Sequence, residues 1–134
     1  MRQKEQKIAI QLSQWLQKEH KNLLWRFDIA ADLKLTIGQA TKNKELNPHK
    51  KYPDFFLAET TYIHGGLYLE LKTSRDEVFN KKNGEMKKSE HVQGQRIMLE
   101  ILKCKGYKAE FAFGLEDAKR QISQYIKEKR DERH

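Results

Sequence analysis

The chain has 134 residues, a formal net charge of +8 and a pI near 9.5, with 34% charged and 37% hydrophobic residues. That balance allows one compact domain with a densely charged surface and favours a polyanionic partner, nucleic acid ahead of an anionic membrane. No apolar run approaches the ~20 residues of a membrane span, and the first helix is too charged for a signal peptide. The single Cys104 excludes an internal disulfide and any multi-cysteine zinc site. A soluble, cytoplasmic protein is expected.

Residues 2–19 read as an amphipathic helix, because Ile8, Leu12, Trp15 and Leu16 recur at helical spacing. Glu5 extends that stripe backwards; it either favours the helix dipole in the first turn or reaches a functional site. Residues 22–27 suggest a strand with Leu23, Trp25 and Phe27 on one side, and residues 28–34 a short helix. From 35 to 52 the apolar pattern disappears. Lys42, Lys44, Lys50 and Lys51 stand there against Glu45, with Gly38 and Pro48 as breakers, which predicts a mobile basic loop. It is either merely solvated or placed to contact phosphates.

Residues 54–58 and 66–72 read as two strands around His64-Gly65-Gly66, whose glycines are expected to supply the positive φ of a hairpin turn. Alternation puts Glu70 and Lys72 on one face and Leu69 and Leu71 on the other. Charges at the end of so apolar a strand are costly to desolvate unless paired or coordinated. Asp54, after Pro53, falls at the edge of the neighbouring strand and within reach of a cation shared with Glu70. Two carboxylates suit Mg²⁺, which prefers oxygen and retains waters; a lysine beside them can orient or deprotonate such a water, or offset charge on a phosphate.

Residues 73–91 carry no lasting periodicity. Asn83-Gly84 marks a turn, and the segment is either a hairpin-like excursion or, the reading preferred, a disordered flap that orders on substrate. Ser89 is placed to cap a helix over 90–105, with Ile97, Met98, Ile101 and Leu102 as its apolar positions and Gly106 as terminator. Gln95 aligns with Met98 and Leu102, so its amide binds a water, a phosphate or a core carbonyl; Gln93 is the neighbour most easily confused with it. A strand over 107–113 and a helix over 115–130 follow, the latter with Ala118, Ile122, Tyr125 and Ile126 inward, before a charged, frayed end. Of the five histidines, His64 reads as a turn residue, His91 borders the flap, and His20, His49 and His134 have no partner at metal-ligand spacing; Cys104 reads as a small buried hydrophobe.

Pro53-Asp54, fifteen intervening residues, then Glu70-Leu71-Lys72 resembles the PD-(D/E)XK nuclease motif. Gln95, Leu99, Leu102 and Gly106 followed by residues 107–114 resemble the VRR-NUC branch of that superfamily, in particular its small stand-alone phage-type members. The resemblance implies a single α/β, restriction-endonuclease-like domain, a mixed central sheet flanked by helices. It implies a metal-dependent DNA endonuclease with Asp54, Glu70, Lys72, Gln95 and Glu5 as catalytic residues. Mg²⁺ or Mn²⁺ would be held by Asp54, Glu70, the Leu71 carbonyl and Glu5, and Lys42, Lys44, Lys50 and Lys51 would contact DNA. Branched or four-way-junction substrates, a homodimer and a phage gene expressed in a bacterial host also follow from the likeness. The alternatives are a non-catalytic nucleic-acid-binding module on the same fold and an accessory factor that binds RNA or protein through its basic surface.

Overall fold

Six consecutive buried residues, Leu67–Lys72, form the strand β3 around which the other elements are arranged. A strand buried on both faces needs a layer on each side and a neighbour at each edge. The computed structural model describes residues 2–28 and 35–131; the elements are α1 (Arg2–Glu19), β1 (Trp25–Phe27), α2 (Ile37–Leu46), β2 (Phe55–Leu57), β3, a 3₁₀ turn (Arg75–Glu77), α3 (Glu90–Cys104), β4 (Lys108–Phe113) and α4 (Gly114–Asp131). The sheet runs β1-β2-β3-β4, antiparallel up to β3 and parallel between β3 and β4. The parallel pair needs a crossover, and α3 provides it. A mixed α/β sheet flanked by helices is therefore the observed architecture, as expected.

Alternation along β3 divides the core in two. Leu67, Leu69 and Leu71 face α1 and α4, where Leu12, Leu16, Ala118, Ile122 and Tyr125 complete a fully apolar layer. Tyr68 faces the other way, toward Leu99 and Leu102 of α3 and Ala109 of β4. The Tyr68 hydroxyl meets that of Tyr52 at 2.5 Å, and its ring lies against Phe56 and Tyr107. Burial first, then the Tyr52 hydroxyl, pushes the Tyr68 phenol above its usual pKa.

Several expectations are corrected. The basic loop over 35–52 contains α2, set by a capping box in which Thr36 Oγ1 accepts from Gln39 N and Gln39 Oε1 accepts from Thr36 N. No α2 side chain is buried, and Ile37 and Leu46 are 88% and 70% exposed, so no apolar periodicity marks the helix. Residues 74–87 form the hairpin-like excursion rather than the disordered flap: Phe79 bridges Met86, Lys87 N donates to Val78 O, and Val78 is fully buried. Gly65 and Gly66 do not adopt the left-handed conformation; among the described glycines only Gly84, Gly106 and Gly114 do. Gly66 is required for close approach instead, since a Cβ there would lie 2.6 Å from the Phe56 ring.

On α3 the buried stripe is Val92, Gln95, Leu99 and Leu102, while Ile97 and Ile101 are about half exposed. Cys104 continues that outer stripe and is exposed, not buried. The first strand is shorter than expected, three residues from Trp25. The expected helix over 28–34 lies, from residue 29, outside the described residues. Among the described residues, no helix is long and apolar enough to cross a membrane.

Candidate active site

The β2–β3 register pairs Phe55 with Leu69, so one step further Asp54 stands opposite Glu70. The β1–β2 register pairs Phe27 with Phe55, and one step further Asp28 stands opposite Asp54, with Asp28 N donating to Asp54 O at 2.7 Å. On the other side Glu70 pairs with Phe111 and Lys72 with Phe113. Three carboxylate residues and a lysine thus line one end of the sheet because four strands stop there in register.

The carboxylates are held by main-chain donors. Asp54 Oδ2 accepts from Leu71 N at 2.9 Å, and Glu70 Oε2 accepts from Asp54 N at 3.2 Å, a reciprocal clasp between the two strands. Glu70 Oε1 accepts from Gln95 Nε2, which α3 brings down onto that face. Glu70 is 5% exposed, Lys72 4% and Gln95 5%. Burial first, then the Asp54 carboxylate, holds the Glu70 carboxyl well above the usual range, with the Lys72 ammonium pulling in the opposite direction. A side-chain hydrogen bond between the carboxyls of Asp54 and Glu70 adds to the rise.

Glu5 approaches from the opposite layer. It lines a small cleft with Asp28, Asp54 and Leu71, against Ala9 of α1. Gln93 turns elsewhere, donating to Lys87 O and accepting from Arg96, so Gln95 is the α3 amide that meets Glu70. Of the four expected DNA-contacting lysines, Lys51 lies beside the site. Its stem crosses Gly94, and its ammonium is 2.8 Å from His91 Nδ1. Burial first, then the charges of Lys51 and Lys72, lowers the His91 pKa. Lys42 and Lys44 are exposed on α2, and Lys50 is exposed in the segment before β2.

No family model matches this sequence, and no curated protein does. Among solved structures, a VRR_NUC domain protein superposes with a TM-score of 0.65 at 21% identity, over 92% of this chain and 88% of that one. The fold is a VRR_NUC fold. Within it, Asp54, Glu70, Lys72 and Gln95 converge, Glu5 borders them, and the main chain of Leu71 lies between the two carboxylates.

Sequence reasoning missed Asp28 at this end of the sheet. Asp28 was placed at the start of a helix; extending the β1–β2 pairing by one residue finds it.

Proposed function

We propose that this VRR_NUC fold carries a metal-dependent nuclease that hydrolyses phosphodiester bonds in DNA. The observation that carries the reading is the Asp54–Glu70 clasp beside the buried Lys72. Two carboxylates crowded together at a buried strand end oppose one another, and a cation bound between them would relieve that opposition. The donors are all oxygen, and Gln95 Oε1 is buried with no hydrogen-bond partner among the described residues. Both features fit Mg²⁺ or Mn²⁺, ions that keep several waters when two carboxylates hold them.

Asp54 and Glu70 would hold the ion, with the Leu71 carbonyl and Glu5 as further oxygen donors. When bound, it would supply an acidified water and a counter-charge for the phosphate. The chain's own residues do the rest. Gln95 fixes the rotamer of Glu70 from α3. Among the described residues, no hydrogen bond or ion pair closes on the Lys72 ammonium, which leaves it to orient the attacking water and offset charge on the phosphate. Preference for branched DNA and a two-fold dimer belong to the same proposal; a strictly monomeric protein at micromolar concentration in size-exclusion chromatography would remove both.

The test is cleavage of labelled linear duplex, single strand, flap and four-way junction with Mg²⁺ and with Mn²⁺, wild type beside Lys72→Ala. Metal-dependent cutting that falls by at least about 100-fold in the variant is expected. Tight binding that ignores chelator, with no cutting under any condition, would identify a non-catalytic binding module instead.

A further inference from the structure

Arg75 sits three residues beyond Lys72, in the 3₁₀ turn that opens the excursion. Its guanidinium carbon lies 4.5 Å from the centroid of the Phe79 ring and 5.1 Å from that of Phe113. The two rings are 6.0 Å apart and tilted by 52°, so the planar cation fills the notch between them. The turn is itself fastened: Thr73 N donates to Glu77 Oε2 at 2.5 Å, and Val78 is fully buried. The side chain is nevertheless exposed, and no carboxylate pairs with it among the described residues. A guanidinium lying against aromatic rings retains its N–H donors, up to five in a rigid fork.

The position of this cation is informative. Phe113 is the β4 neighbour of Lys72, whereas Asp54 immediately precedes β2, across β3. From β2 to β4 the sheet end therefore presents Asp54, Glu70 with Lys72, and then Arg75. An exposed cation–π contact is worth about 0.5–1 kcal/mol and does not require a charge without a carboxylate partner. A fixed guanidinium edge does match a phosphodiester oxygen pair. We propose that Arg75 is a phosphate clamp, holding a nucleic-acid strand by a phosphate adjacent to the one attacked, with the strand running from β2 toward β4. This rests on the nuclease reading of the same site and makes Arg75 a positioning residue.

The probe is a fluorescent DNA oligonucleotide, single-stranded and duplex, titrated in EDTA over a range of NaCl concentrations. Arg75→Ala is expected to weaken binding about tenfold. It should also reduce the slope of log K against log salt by about 0.7 for single strand and 0.9 for duplex, the signature of one lost phosphate contact. Arg75→Lys keeps the slope but not the full affinity. If Arg75→Ala melts early, Arg75→Gln, which leaves a flat polar group over the rings, must give the same loss of slope. With Mg²⁺, Arg75→Ala raises KM more than it lowers kcat. An unchanged salt slope in Arg75→Ala and Arg75→Gln overturns the clamp even where the wild type cuts DNA. A lost slope in a protein that cuts nothing keeps the Arg75–phosphate contact but removes the nuclease reading, and with it the placement beside an attacked phosphate. A wild type that binds no DNA overturns both.

Discussion

Replacing Asp54 by Asn removes one of the two opposed carboxylates and leaves the shape of the site intact. The Asn carbonyl still accepts from Leu71 N, as Asp54 Oδ2 does at 2.9 Å, and the new amide N–H donates toward Glu70. Unit charges about 5 Å apart, the usual cross-strand separation, repel by about 3 kcal/mol at an effective dielectric of about 20. The hydrogen bond between the two carboxyls relieves part of that. Asp54→Asn should therefore stabilise the metal-free protein by about 1–2 kcal/mol at mildly alkaline pH, while abolishing cleavage. The gain depends on pH in a defined direction. Because the Glu70 carboxyl is raised, its contribution to stability is full below its ordinary value of 4.5 and is lost as pH rises through the native value. Asp54→Asn lowers that native value, so its advantage vanishes in acid and grows toward alkaline pH. Urea unfolding of both proteins from about pH 4 to about pH 8 measures this, and added Mg²⁺ should raise the melting temperature of the wild type alone. A variant less stable than wild type in alkali, or a difference independent of pH, would show that the two carboxylates do not oppose one another in the native state.

Two further outcomes concern the scaffold. Gly66→Ala would bring a methyl to 2.6 Å from Phe56 Cε1 and 3.2 Å from Leu57 O. The ring has little room to retreat, being 4.4 Å from Tyr68, so unfolding experiments should show a loss of about 1–3 kcal/mol, with partial rescue by Phe56→Leu. Asp117 caps the start of α4, accepting from Phe113 N at 2.8 Å and from Arg120 at 2.6 Å. Burial pushes its carboxyl up, but the hydrogen bonds from Phe113, Arg120 and Gln121 outweigh that and hold it below its ordinary 3.8. Its stabilisation is thus present above that ordinary value and lost as pH falls through the lower native one. Asp117→Ala should cost about 1–2 kcal/mol at neutral pH, and the deficit should shrink in strong acid.

The positions of Asp54, Glu70, Lys72 and Gln95 were readable because each lies on, or one residue from, a regular element whose period places it. The sides of β3 follow from alternation alone, and Gln95 from its spacing to Leu102. What failed was the part of the chain where burial does not imprint a pattern. The Thr36-x-x-Gln39 box was present in the sequence, yet without a buried face it did not stand out against the lysines. The α3 stripe was taken about one residue off, and one residue is about 100° of helix, enough to turn Ile97, Ile101 and Cys104 outward. The excursion over 74–87 is fixed by Val78 and by main-chain bonds, neither of which has a periodic signature. Gly66 was identified as important for the wrong physical reason: the constraint is a neighbouring ring, not its own φ.

The helix α2 leads beyond catalysis. It is held by its own cap and contributes no side chain to either core layer, so its identity is uncoupled from the stability of the sheet. The helix is in this sense a cassette. Side chains on Ile37–Leu46 can be exchanged without repacking the interior, and the chain leads on from it to the Lys51 that lies over Gly94 and beside His91. On the proposed nucleic-acid-binding reading, substitution on α2 changes the charge presented near Lys51 while both core layers stay untouched.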